Sequence, residues 1–133
     1  MLGCEILGID FSIAVPKAYE IPKAILDLSN CEFHFTNDPI EAVKGADIVY
    51  TDTWISMGLE AESEKRLKDF ADFQVNSSLL KNAKKTAKFM HCLPAHRGEE
   101  VSADVIDGQR SIVLKQANSK LLTAKSLIKF LTN

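Results

Sequence analysis

No stretch of this chain approaches the roughly 20 consecutive apolar residues that a membrane-spanning helix needs, so no helix is expected to cross a bilayer. Neither sign of charge dominates: 16 basic residues stand against 18 acidic ones, a net charge of −2. The electrostatic footprint of a nucleic-acid or membrane-surface binder is therefore absent, while a small anionic or zwitterionic ligand stays compatible. Cysteine is scarce, and Cys4, Cys31 and Cys92 form an odd, unpatterned set. Such a set excludes a disulfide framework and points to a reducing, cytoplasmic setting. The first residues, Met1 to Gly8, lack the basic start of a secretory signal and the Arg/Ser-rich character of a transit peptide. Internal repeats and low-complexity linkers are missing too.

What remains is an ordinary globular composition. The 133 residues, 46% of them hydrophobic, suffice for one domain, expected over residues 1–133, with a core of its own. Short apolar runs alternate with helical patterns. Strands are expected over Phe11–Val15, Glu32–Thr36, Asp47–Thr51, Ala87–His91 and Ser111–Leu114. Between them, helical spacing marks 20–28, 60–73 and an amphipathic segment over 118–131 whose basic residues face outward. Asp38, Pro39 and Glu41 write a helix start as N-cap, first helical residue and capping-box partner, and Gly45 ends that helix. Asn76 caps a short helix through Leu80, and Ser102 caps one turn that Gly108 breaks. The alternation predicts an α/β fold: a mostly parallel, Rossmann-like sheet of about five strands, within the common range of 4–6, with helices on both faces.

Two segments sit where chemistry belongs in such a sheet. Asp52-Thr53-Trp54-Ile55-Ser56-Met57-Gly58 follows the strand ending at Thr51, and Cys92-Leu93-Pro94-Ala95 follows the one ending at His91. Loops leaving the carboxyl ends of parallel strands line the ligand crevice, so both should face one pocket. An amino-acid ligand needs an anion for its ammonium, donors for its carboxylate and shape at the far end. Asp52 supplies an anion, Ser56 a hydroxyl, and the backbone near Met57 and Gly58 a close approach. A lone cysteine at Cys92 is open to several roles: covalent nucleophile, metal ligand, polar contact or packing. His91, adjacent in a strand, should point to the opposite face, and His91, Cys92 and His96 do not match a zinc spacing.

The segment Asp-x-Trp-x-Ser-Met-Gly, followed by His91-Cys92-Leu93-Pro94-Ala95 and His96-Arg97-Gly98-Glu99-Glu100-Val101, resembles the amino-acid-binding half of the ornithine carbamoyltransferases. The resemblance implies carbamoyl transfer from carbamoyl phosphate to L-ornithine, giving L-citrulline and phosphate, as in arginine biosynthesis and the urea cycle. It assigns Asp52 to the α-amino group, Ser56 and Met57 to the amino-acid end, and Cys92 and Leu93 to the reacting amine and carbamoyl group, with no metal or organic cofactor. The family is trimeric, so a homo-oligomer is expected, with weaker assembly here.

The family binds carbamoyl phosphate through a Ser-x-Arg-Thr-Arg segment and a His-Pro segment, neither of which occurs in this chain. The carbamoyl-phosphate-binding domain and the first strand of the family domain are thus expected to be missing, and carbamoyl phosphate to require a complementing domain. Where the family carries an arginine before its last helix, this chain has Lys120. A solvated loop is expected for His96, Arg97, Glu99 and Glu100. The competing reading is a non-catalytic ornithine-binding module or degenerate paralogue.

Overall fold

The computed structural model describes residues 1–30, 32–56 and 58–132. Four strands form: β1 (Ser12–Ala14), β2 (His34–Thr36), β3 (Ile48–Thr51) and β4 (Lys88–His91). Around them lie α1 (Leu2–Leu7), α2 (Lys23–Leu26), α3 (Pro39–Val43), α4 (Ser63–Asp69), α5 (Ser77–Leu80), α6 (Ala103–Ile106) and α7 (Val113–Thr132). Pairing is parallel throughout, as the βα alternation requires. The strands make two separate two-stranded sheets, β1 with β2 and β3 with β4. The expected single sheet of about five strands, close to the common sheet size, is therefore replaced by two pairs among the described residues.

Local chemistry explains the elements. Asp38 caps α3 by accepting the Ile40 N–H at 2.8 Å, with Pro39 in the first turn. Glu41 does not close the capping box; its carboxylate instead accepts the Thr36 hydroxyl at 2.6 Å, and the Asp38 N–H donates to Thr36 Oγ1. Asn76 caps α5 through the Leu79 N–H at 3.0 Å. Gly108 follows α6 where a Cβ would lie 2.4 Å from the Asp104 carbonyl oxygen, so only glycine fits.

The core gathers on β3 and β4. Val49 and Phe89 pack with Val75, Leu79, Leu80, Val101, Val105, Ile106 and Val113. Phe89 has no exposure, and truncating such a residue costs about 3–5 kcal/mol. Val43 of α3 belongs to this core while its helix lies on β1 and β2, so α3 holds both sheets.

The chain after Gly108 departs from expectation. Instead of a strand over 111–114, Ser111 makes one parallel bridge with Phe89, the Ile112 N–H donates to the Phe89 carbonyl, and the Ile112 carbonyl accepts the Gln116 N–H. Ile112 thus ends the sheet contact and starts α7 in one residue. The helix runs well ahead of the expected start at 118. Its apolar side chains Leu121, Leu122, Leu127, Ile128, Phe130 and Leu131 are 53–79% exposed, so the expected inward stripe stays largely uncovered among the described residues.

Candidate amino-acid-binding site

Register brings the two signature loops together. Thr51 of β3 pairs with His91 of β4, so Asp52 and Cys92 leave adjacent strand ends side by side. The Cys92 thiol donates to Asp52 Oδ1 at 2.7 Å. The same oxygen accepts the Thr53 N–H at 2.7 Å, which leaves Oδ2 to accept from a ligand. Asp52 is exposed and Cys92 half-buried.

Burial first, and the bond to Asp52 second, push the Cys92 thiol pKa up. Tyr50 is raised as well, by burial and then by its bond to Cys92. A thiol held protonated beside a carboxylate is a donor rather than an activated nucleophile, since nucleophilic cysteines need a depressed pKa or a free neighbouring base. His91 does not supply that base. Its Nδ1 lies 3.9 Å from Cys92 Sγ but already accepts the Leu93 N–H at 2.8 Å. That bond fixes the tautomer: the proton sits on Nε2, which donates to Glu100 Oε1 at 3.2 Å. Both side chains of this pair are fully buried.

Leu93 stands at φ 57°, in the left-handed region that non-glycine residues seldom occupy, and its bond to Pro94 is cis. The peptide unit joining Cys92 to Leu93 is gripped at both ends. Lys120 of α7 donates to the Cys92 carbonyl at 2.7 Å, while the Leu93 N–H is held by His91. Gln116, one turn earlier on α7, accepts the His91 N–H at 3.0 Å. Lys120, which stands where the family carries an arginine, is thus part of the loop's frame.

Ser56 is exposed on the β3 loop, and its carbonyl accepts the Leu59 N–H. Met57 lies outside the described residues. Trp54 is buried, stacking on Phe70 with ring centroids 5.7 Å apart, and Arg66 donates to its carbonyl, which fixes the first loop on α4. His96 and Arg97 are exposed as expected, whereas Glu100 is fully buried and also accepts the His96 N–H at 2.6 Å. The Gly98 turn, φ 92°, folds Val101 back onto Gly98 and carries Glu100 inside. Among the described residues His96, Glu99 and Glu100 bring ligand atoms within 4.8 Å of one another, the spacing a metal ion would need. Glu100 is already committed to His91 and to the His96 N–H, so its role is read as structural.

A parallel α/β frame thus places an acid and a thiol in contact at adjacent strand ends. The model of the aspartate/ornithine carbamoyltransferase Asp/Orn-binding domain matches residues 1–131, and the chain belongs to that family. It is 48% identical over 137 residues to the ornithine carbamoyltransferase of Caldicellulosiruptor saccharolyticus, covering 98% of this chain and 44% of that one. To the Bacillus subtilis ornithine carbamoyltransferase it is 48% identical over 136 residues, covering 97% of this chain and 43% of that one. Among solved structures, the anabolic ornithine carbamoyltransferase from Campylobacter jejuni superposes with a TM-score of 0.90 at 37% identity, over 98% of this chain and 45% of that one. The Pyrococcus furiosus ornithine carbamoyltransferase gives 0.80 at 47% identity, over 90% of this chain and 40% of that one. The chain spans less than half the length of these relatives. No helix among the described residues is long and apolar enough to cross a membrane.

Proposed function

We propose that this chain is the ornithine-binding part, residues 1–133, of an ornithine carbamoyltransferase, catalysing transfer of a carbamoyl group from carbamoyl phosphate to L-ornithine when a carbamoyl-phosphate-binding domain completes the site. The observation that carries the reading is the juxtaposition of Asp52 and Cys92 at adjacent strand ends. Asp52 takes the α-ammonium through a charge-assisted hydrogen bond worth about 1.5–3 kcal/mol. Ser56 and Met57 hold the amino-acid end. The Cys92 thiol and the Leu93 carbonyl orient the neutral side-chain amine, so that its lone pair forms the C–N bond to the carbamoyl carbon while the C–O bond to phosphate breaks and the amine's proton passes to the departing phosphate. No bond between enzyme and substrate forms, in keeping with a thiol whose pKa is raised.

Alone, the chain binds and does not turn over. It contains no Ser-x-Arg-Thr-Arg segment for the second substrate, and the proximity of the two reactants, worth up to roughly 7–11 kcal/mol of barrier, is then lost. Retained binding without turnover also describes a non-catalytic ornithine-binding module. The two differ in whether a carbamoyl-phosphate-binding domain, added as a separate chain, restores citrulline formation.

The test is an NMR titration of labelled protein with L-ornithine, with L-norvaline, which lacks the terminal amine, as comparison. Shifts at residues 52–56 with both ligands, and at residues 92 and 93 with ornithine alone, support the reading. A well-dispersed spectrum that neither ligand moves, and that Asp52→Asn leaves equally silent, overturns it.

A further inference from the structure

The turn that follows Pro94 folds three ligand-bearing side chains together. The Glu99 N–H donates to the His96 carbonyl at 3.1 Å and the Gly98 N–H to the Val101 carbonyl at 2.9 Å, a closure that the positive φ of Gly98 permits. His96, Glu99 and Glu100, spaced His-x-x-Glu-Glu, thereby form a cluster whose ligand atoms lie within 4.8 Å of one another.

Glu100 spends one oxygen on its structural role and keeps the other. Oε1 accepts from His91 Nε2 at 3.2 Å and from the His96 N–H at 2.6 Å. Oε2 meets no hydrogen-bond donor among the described residues, although the side chain is fully buried. Glu99 Oε2, next in the chain, is likewise closed off from solvent with no donor. Buried carboxylate oxygens almost always find partners, because desolvating an anion without one is costly. Here the nearby donors are directed elsewhere. Arg97 makes two bonds to Asp107, at 2.9 and 2.7 Å, and Lys120 donates to the Cys92 carbonyl. The Gln74 amide donates to the backbone carbonyls of Gly98 and Glu99, at 2.9 and 2.8 Å. His96 Nδ1 comes to 3.8 Å from Glu100 Oε2, beyond hydrogen-bond length. Thr53 Oγ1, 3.5 Å from the same nitrogen, already donates to the Ile55 carbonyl. With its proton on Nε2, His96 therefore keeps the Nδ1 lone pair for another partner.

We propose that His96 Nδ1, Glu99 Oε2 and Glu100 Oε2 form a site for one divalent transition-metal cation, of the Mn²⁺ or Zn²⁺ type. The two carboxylates supply the negative charge and the cation answers both donorless oxygens at once. The imidazole selects a first-row transition ion over Mg²⁺ and Ca²⁺, which prefer oxygen alone. Bond lengths of about 2.0–2.2 Å set ligand atoms roughly 3–4 Å apart around such an ion. The His96 side chain, 48% exposed, swings inward to close the remaining distance, while Glu100 is held through Oε1. That carboxylate also holds His91, whose Nδ1 accepts the Leu93 N–H, so the cation sits one side chain away from the frame of the Cys92–Leu93 turn. The site stands on these three side chains and does not depend on which ligand Asp52 takes.

Mn²⁺ is the probe, since the Cys92 thiol would compete for zinc and does not favour manganese. An electron paramagnetic resonance titration counts the bound ion, and amide spectra of labelled protein locate it by paramagnetic broadening. One Mn²⁺ should bind per chain, with broadening centred on residues 96–100. Glu99→Gln and His96→Ala remove one ligand each without touching the His91–Glu100 pair, and each should weaken binding at least about tenfold. Glu64→Gln, on the exposed side of α4, should leave it unchanged. A well-dispersed spectrum in which about 1 mM Mn²⁺, the weak end of biological cation sites, broadens nothing at 96–100 overturns the proposal. Binding that survives both ligand substitutions overturns it as well, because the ion would then be held by scattered surface carboxylates.

Discussion

Cys92 Sγ donates to Asp52 Oδ1 at 2.7 Å across 40 residues of sequence. A carboxylate that accepts from a thiol stabilises the protonated sulfur, so Asp52 keeps Cys92 a donor.

Alkylation reads that coupling directly. Burial and the Asp52 bond both raise the Cys92 pKa, so iodoacetamide should label Cys92 slowly at pH 7, with the rate climbing only above the pH at which an ordinary thiol ionises, near 8.5. Asp52→Asn removes the anionic acceptor and should move the profile to lower pH, leaving the part due to burial. Peptide mass spectrometry separates Cys92 from Cys4 and Cys31. Rapid labelling of Cys92 at neutral pH would contradict the assignment of a donor thiol.

The buried pair of His91 and Glu100 predicts a stability difference between two substitutions. Glu100→Ala orphans His91 Nε2–H and the His96 N–H, both of which donate to Glu100 Oε1. Each orphaned buried group costs about 1–3 kcal/mol, which should lower the urea midpoint clearly. Glu100→Gln keeps an acceptor at the same place and should cost well under half as much. Equal midpoints for the two variants would mean that the hydrogen bonds contribute little.

Two glycines should respond in opposite senses. Gly108→Ala drives a Cβ to 2.4 Å from a backbone carbonyl that cannot yield, whereas a Cβ at Gly3, inside α1, meets nothing within 4 Å. Overpacking of the first kind costs about 1–3 kcal/mol. Gly3→Ala should instead favour its helix by up to about 1 kcal/mol. Thermal melts of the two variants against the parent chain check the signs.

Much of this was legible in the sequence because it rests on local rules. Asp38 and Asn76 cap the helices their positions announced, the parallel α/β class followed from alternation, and Asp52 and Cys92 came side by side because they leave adjacent strand ends. Glu100 was expected in a solvated loop and is buried, since its placement depends on the Gly98 turn and on a histidine nine residues away. The contact that Lys120 makes was not legible for a similar reason: its acceptor is a carbonyl 28 residues earlier, and no side-chain pattern encodes a backbone acceptor. The strand expected over 111–114 failed because an apolar, β-branched run fits a strand or a helix start equally well until Ile112 divides its two backbone groups between β4 and α7.

The double grip on the Cys92–Leu93 peptide unit bears on the entropy of recognition. Ordering one backbone residue costs about 1–2 kcal/mol, and a flexible loop would draw that from the affinity of each ligand it closes upon. With Lys120 and His91 holding the unit from opposite ends, that cost is met on folding. A ligand of the site proposed at Asp52 then meets a Leu93 turn that is already in shape.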